Sequence, residues 1–337
     1  MKLKLLFILL ISCLTFTNCK EKTSSTENES EAISEKSKIV NVEEKHPKAP
    51  DGMVWVSSKT FTQGAKTGDQ FAMRREKPAH QVYVDGFFID IHEVTNQQFQ
   101  EFVAATNYKT VAERPIDWEE IKKQLPPGTP KPADSILQPG SLTFDKSVEQ
   151  VASMNNYTQW WTWQLGANWK QPYGEASSIE GRENLPVVHI AYEDALAYCE
   201  WANRRLPTEA EWEAAAQGKH TDQIFTWGNN AEVLTENANT WQGVFPTENN
   251  PEDGFKYIAP VASFPPNSIG IYDMMGNVWE WTNSHRETTG GKVLRGGSWR
   301  NSVNAMQSSK WITSLPIHRF HYVGFRCASS VPPITNN

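Results

Sequence analysis

Apolar and polar positions alternate from Gln81 to Ile91 (QVYVDGFFIDI), the period of a strand with one buried face. Just beyond, Thr95 and Gln98 stand at capping-box spacing, and Phe99, Phe102 and Val103 follow at helical intervals, so a helix with one apolar face opens there. A second amphipathic helix is predicted over Glu193 to Ala202 (EDALAYCEWA). A third begins where Thr208 and Glu211 form another capping box behind Pro207, which turns Trp212 inward. After Gly218 the chain reads as loops and short strands, punctuated by Gly, Pro, Asn and Trp. From Met53 to Val331 there is no composition break and no repeat, which predicts an irregular fold of modest secondary structure.

The N-terminal pattern is different. Two lysines within Met1 to Lys4 precede an apolar run, Leu5 to Phe16, too short to span a bilayer comfortably and of the form of a signal peptide. Cys19 closes this run ahead of Lys20-Glu21-Lys22, as in a bacterial lipoprotein signal whose cysteine is lipidated; Leu10-Ile11-Ser12-Cys13 is a competing box, and a cleaved signal without lipid is the other alternative. Residues 20 to about 48, rich in Lys, Glu and Ser, lack the apolar content to repay the entropy of ordering and read as a tether. The expected organisation is a signal peptide over 1–18, a lipidated flexible tether over 19–48, one domain over 49–331 and a tail over 332–337. The expected location is an exported lipoprotein of a bacterial cell envelope, held to the membrane by its lipid anchor.

Composition narrows the function classes. With 337 residues, 39% hydrophobic, and 14 Trp, the chain can bury a sizeable core. Its 32 Lys plus Arg against 39 Asp plus Glu give a net charge of -7 with no basic block, so no nucleic-acid partner is expected. Beyond the leader only Cys199 and Cys327 remain, and in an oxidising compartment they bond to each other or persist as two buried thiols.

Read in order, MVWVSSKTFTQG (53–64), VDGFFIDIHEVTNQQFQEFV (84–103), LPVVHIAYEDALAYCEWANRRLPTEAEWEAAA (185–216), FTWGN (225–229), NTWQGVFPTENNPEDGF (239–255), GIYDMMGNVWEWT (270–282), LRGGSW (294–299) and VGFRCA (323–328) resemble the formylglycine-generating enzyme, or sulfatase-modifying factor, family. The resemblance implies a single α+β domain of low regular secondary structure, similar to C-type lectins. It implies two calcium ions, one held by side chains of Asn239 and Asp253 with carbonyls of Thr240 and Phe255, the other by Asp273 and Glu280 with carbonyls of Gly276 and Val278. Hard oxygen donors around a Gly-Asn turn suit that cation. It implies a disulfide between Cys199 and Cys327.

The family enzyme oxidises a sulfatase cysteine, within a Cys-x-Pro-x-Arg-like segment, to formylglycine with molecular oxygen and Cu(I) held by two cysteines. At those two positions this chain carries Asn301 and Met306, after Gly296-Gly297-Ser298-Trp299. A hard amide and a weak thioether do not make a two-thiolate site, so copper is not expected. Ser298 keeps the position beside the family's oxygen pocket, and His318 and His321 in IHRFH are the one His-x-x-His pair that could offer imidazoles to a metal. Trp160, Trp161, Trp163 and Trp169 fall where the family lines its peptide groove, and are equally readable as core. Three functions compete. The first is a sulfatase-maturation factor, an oxygen-dependent oxidoreductase if active, with sulfatases as partners. The second is a non-catalytic envelope module binding a protein or a sulfated polysaccharide. The third, a non-haem iron oxygenase, is weakened because no helical domain precedes residue 50.

Overall fold

The computed structural model describes residues 48–124 and 127–330. The expected signal peptide, Cys19, all but the last residue of the tether, and the tail lie outside the described residues.

The alternation over Gln81 to Ile91 resolves into two strands rather than one. Strands β1 (Met53–Val56), β2 (Lys59–Gln63), β3 (His80–Val84) and β4 (Phe87–Asp90) open the fold, and the chain changes sheets at Asp85-Gly86. β3 pairs antiparallel with β2, from Lys59 opposite Val84 to Gln63 opposite His80. β4 instead forms the middle of a three-stranded sheet between β1 and a late strand. That central place explains why Phe87, Phe88 and Ile89 are all buried, since both faces of the strand are covered.

Helix α1 (Asn96–Thr106) begins where the capping box predicts. The Gln98 amide donates to Thr95 Oγ1 at 3.2 Å, and the Thr95 amide donates to Gln98 Oε1 at 2.9 Å. It ends at Asn107, whose φ of 55° places it in the left-handed region while its N–H donates to the Val103 carbonyl. Phe99 and Phe102 are buried and Val103 is half-buried; Phe99 stacks on Tyr198 at 5.8 Å and meets the edge of Trp169 at 5.3 Å. Truncating such a side chain typically costs about 3–5 kcal/mol.

A short helix α2 (Trp118–Ile121) and a hairpin of β5 (Gly140–Phe144) with β6 (Trp161–Leu165) follow. Helix α3 (Tyr192–Trp201) lies one residue upstream of the expected span, because Asp194 accepts from the Ala191 amide at 2.8 Å and caps the helix from inside its first turn. Helix α4 (Glu209–Gln217) has the predicted box between Thr208 and Glu211, and Trp212 is fully buried. Beyond Gly218 come β7 (Trp279–Arg286), β8 (Gly291–Arg295), β9 (Trp311–Ser314), β10 (Val323–Gly324) and β11 (Ala328–Ser330). β11 completes the sheet of β1 and β4, while the others form a four-stranded sheet ordered β10-β7-β8-β9.

Two buried ion pairs fasten this sheet. Arg295 on β8 meets Glu213 on α4 at 2.7 Å, and Arg326 meets Glu280 on β7 at 2.7 Å. Breaking a pair of this kind leaves one charge in a low-dielectric interior, typically a loss of about 3–5 kcal/mol. Trp160, Trp161 and Trp169 are buried in the main core, against Phe245, Phe144 with Tyr322, and Phe99 respectively. Only Trp163 is half-buried, beneath the Arg319 guanidinium, so this cluster is chiefly core and not the wall of a groove.

Candidate functional site

The turn that leaves β8 runs Gly296-Gly297-Ser298-Trp299 and is tied back by Trp299 N–H to the Asn277 carbonyl at 2.9 Å. Asn301 N–H donates to the Ser298 carbonyl at 2.8 Å, and the Asn301 carbonyl accepts from Trp241 N–H at 2.9 Å, so both main-chain groups of Asn301 are fixed. Its side-chain Oδ1 accepts from Trp279 Nε1 and from Ser298 Oγ, each at 2.9 Å. One helical turn later Met306 is fully buried. Gly297 has φ +79°, and a Cβ there would come within 2.4 Å of Met306 Cε, so the thioether packs directly against the backbone of the turn.

The structure thus brings Ser298, Asn301 and Met306 to one place. Among the described residues it supplies no thiolate there: Cys199 and Cys327 face each other in the core, their sulfurs 2.7 Å apart. Asn301 Oδ1 is already saturated by two donors and Met306 offers only a thioether, so these residues do not fit Cu(I). Trp279, the donor to Asn301, had no functional role in the sequence reading.

His318 and His321 have separate surroundings. His318 Nδ1 is 2.9 Å from Ser314 Oγ and its ring packs on Phe320; burial pushes it down to about 4. His321 Nε2 is 2.6 Å from Tyr173 Oη, and its ring packs against Trp299 and stacks on His189. Burial, with the neighbouring His189, holds His321 well below the usual histidine range, and burial takes His189 down to about 3, so both rings are neutral. Among the described residues no group of three or more His, Cys, Asp and Glu is arranged to hold a metal ion.

The calcium positions divide into two cases. In the first set Asp253 accepts from the Thr240 amide at 2.8 Å, the Phe255 amide at 2.9 Å and Gln242 Nε2 at 3.0 Å, which folds the 253–255 turn onto the 239–242 segment. Asn239 donates to the Tyr257 carbonyl at 2.8 Å, but its Oδ1 is buried with no hydrogen-bond partner. That orphaned oxygen, in the segment against which Asp253 folds, offers a hard cation one free donor. Gly276, at φ +85°, lets the second segment close on the first: a Cβ there would lie 2.4 Å from the Asn239 carbonyl oxygen.

In the second set the glutamate is already ion-paired with a buried guanidinium. Glu280 accepts from Trp212 Nε1 at 2.7 Å and from Arg326 at 2.7 and 2.8 Å, which takes three of its four lone-pair directions. Asp273 accepts from the Ala262 amide, and burial lifts its carboxyl to about 6. The carboxylate oxygen left over here is Glu93 Oε2, which is buried without a partner. Burial and the nearby Asp273 charge push Glu93 well above the usual carboxylate range. Glu93 escaped the sequence reading, although a lone acid between a buried strand and a capping box was a visible anomaly.

The family of sulfatase-modifying factor enzyme 1-like domains matches residues 39–331. The chain is 38% identical to the formylglycine-generating enzyme of Mus musculus over 307 residues, covering 85% of this chain and 77% of that one. It is 38% identical to the formylglycine-generating enzyme of Mycobacterium tuberculosis over 291 residues, covering 75% and 91%. It is also 38% identical to the inactive C-alpha-formylglycine-generating enzyme 2 of Mus musculus over 263 residues, covering 76% and 79%. Among solved structures, PvdO from Pseudomonas aeruginosa shares the fold with a TM-score of 0.56 at 22% identity, over 82% of this chain and 94% of that one. An α+β domain of small sheets, these sequence matches and a Gly-Gly-Ser turn leading into the cysteine positions converge: the chain belongs to the formylglycine-generating enzyme, or sulfatase-modifying factor, family.

Proposed function

We propose that this protein recognises a sulfatase, through the segment bearing its Cys-x-Pro-x-Arg-like motif, without oxidising the cysteine by the copper route. The observation that carries this reading is the Asn301 side chain, whose oxygen is held by Trp279 and Ser298 where the resemblance requires a copper thiolate. Both the active and the inactive named relatives lie at the same 38% identity, so family membership alone does not decide catalysis. The test is incubation of the purified protein with copper, oxygen and a Cys-x-Pro-x-Arg peptide, read by mass spectrometry and by direct binding. The peptide is expected to bind and to be recovered with its thiol intact; aldehyde formation would overturn the reading.

A second reading is a non-catalytic envelope module for another protein or a sulfated polysaccharide. The absence of both thiolates favours it equally, and failure of the peptide to bind would select it. The N-terminal pattern supports export and anchoring through a lipid on Cys19. Metabolic labelling with a fatty acid that Cys19→Ala abolishes is the corresponding measurement. Calcium at the Asn239 and Asp253 positions is supported by the orphaned Asn239 oxygen.

A further inference from the structure

A cavity of about 320 Å3 opens beside the Trp299 ring, and its wall includes Lys146, Tyr173, Arg182, Lys256, Tyr257 and His321. No Asp or Glu lines it. The three cations reach it from well-separated stretches of a chain whose net charge is -7. Among the described residues none of the three is in an ion pair with a carboxylate.

Lys146 is held instead by ring faces: its Nζ lies 3.7 Å from the centroid of Tyr173 and 4.7 Å from that of Tyr257. Three like charges around one concave, partly desolvated space repel one another, and no carboxylate in the wall offsets them. Burial and the charges of Arg182 and Lys256 accordingly bring Lys146 down to about 8. One of the lining residues, His321, also has a polar atom that nothing satisfies. His321 is 1% exposed; its Nε2 is engaged with Tyr173 Oη, while Nδ1 is buried with no partner. In either tautomer of the neutral ring Nδ1 is left a buried donor or acceptor with no partner.

We propose that this cavity is a binding site for a sulfate or phosphate monoester carried on a sugar-sized ligand. An anion with three terminal oxygens can meet Lys146, Arg182 and Lys256 at once, giving charge-assisted hydrogen bonds from three sides. The volume exceeds what an inorganic ion fills and lies at the lower end of small-ligand sites. Tyr173 and Tyr257 offer ring faces to the remainder of the ligand once Lys146 turns to the anion. The site does not depend on copper chemistry or on recognition of a sulfatase peptide, and it stands or falls apart from both.

The test is calorimetric titration of the intact protein with N-acetylglucosamine 6-sulfate, N-acetylglucosamine 6-phosphate, uncharged N-acetylglucosamine, inorganic sulfate and inorganic phosphate. The two charged sugars are expected to bind, the inorganic ions more weakly and the neutral sugar not at all; a preference between the two esters identifies the source of the anion. Lys146→Gln and Arg182→Gln, at exposed positions that leave the core intact, should each weaken binding about tenfold or more and reduce its dependence on salt. Tyr173→Phe keeps the ring under Lys146 but frees His321 Nε2, and should change affinity less than either cation variant. Absence of binding by both esters at millimolar concentration, or binding that Lys146→Gln and Arg182→Gln leave unchanged, would overturn the proposal.

Discussion

Trp279 and Asn301 are joined by a hydrogen bond of 2.9 Å from the indole Nε1 to the amide Oδ1, and Ser298 Oγ adds a second contact to the same oxygen. Residues that the resemblance connects with oxygen and copper chemistry here form a closed polar contact. Cu(I) affinity should therefore be weak, as a competition titration against a chromogenic Cu(I) chelator would report. The double variant Asn301→Cys with Met306→Cys should gain tight Cu(I) binding, and gain it before any aldehyde-forming activity appears. Femtomolar-class competition by the unaltered protein would contradict this account of the site.

Replacing Asn301 by Ala removes the acceptor and leaves Trp279 Nε1 buried without a partner. Such an orphan costs about 1–3 kcal/mol, so the melting temperature should fall by several degrees. Asn301→Asp should be milder, because an acceptor remains. Equal melting of all three proteins would show that the Trp279 contact contributes nothing.

Cys199 on α3 and Cys327, just before β11, have buried sulfurs 2.7 Å apart, 128 positions apart in sequence. In an oxidising compartment we expect them to form the disulfide that the family resemblance implies. Closing a loop of that length is worth about 4–5 kcal/mol in the chain-entropy treatment. Peptide mapping without reductant should recover the linked pair, and Cys199→Ser should lower stability in oxidised but far less in reduced samples. Two alkylatable thiols in protein isolated without reductant would exclude the bridge.

Features set by local spacing were legible in the sequence. Thr95 with Gln98 and Thr208 with Glu211 specify their helix starts within four residues, and both boxes form as read. The positions of Ser298, Asn301 and Met306 were equally legible, since they sit at fixed intervals after a Gly-Gly turn. What escaped depends on partners remote in sequence. Glu93 becomes a buried acid because Asn277 and Asp273 fold against it, and burial keeps His189 neutral in a core where its partner is Ser141, 48 residues earlier. The break between β3 and β4 was hidden because both halves keep apolar periodicity while pairing with different strands. The tryptophans of β6 announced an aromatic cluster, but which face the core takes is fixed by Phe144 and Tyr322.

Removal of calcium should destabilise the domain. Asn239 Oδ1 has no donor, and Glu93 and Asp273 crowd two acids into one buried region, so a cation bound there would stabilise the folded form over the unfolded chain. Thermal melting with and without chelator measures this, and Asn239→Ala should shrink the calcium-dependent shift. Identical melting curves in excess calcium and in chelator would remove the cation from the account.

Asp194 gives the clearest pH dependence outside these positions. Its carboxyl is fully buried and accepts from the amides of Ala191 and Val111 and from Tyr108 Oη. Burial nevertheless outweighs those bonds and raises it from 3.8 to about 6. A carboxyl raised on folding holds its proton more tightly in the native state, so its contribution to stability is full below its unfolded value and is lost as pH rises through about 6. Asp194→Asn cannot titrate, and its melting should be free of this one component. It should be less stable than the parent in acid, where the protonated acid satisfies the same donors with two oxygens. The gap between the two proteins should then close by on the order of 3 kcal/mol between about pH 4 and about pH 8. Denaturant titrations of both proteins across that range decide the matter: a constant gap would mean that Asp194 is already ionised in the native protein, and that its two amides and Tyr108 overcome the cost of burial.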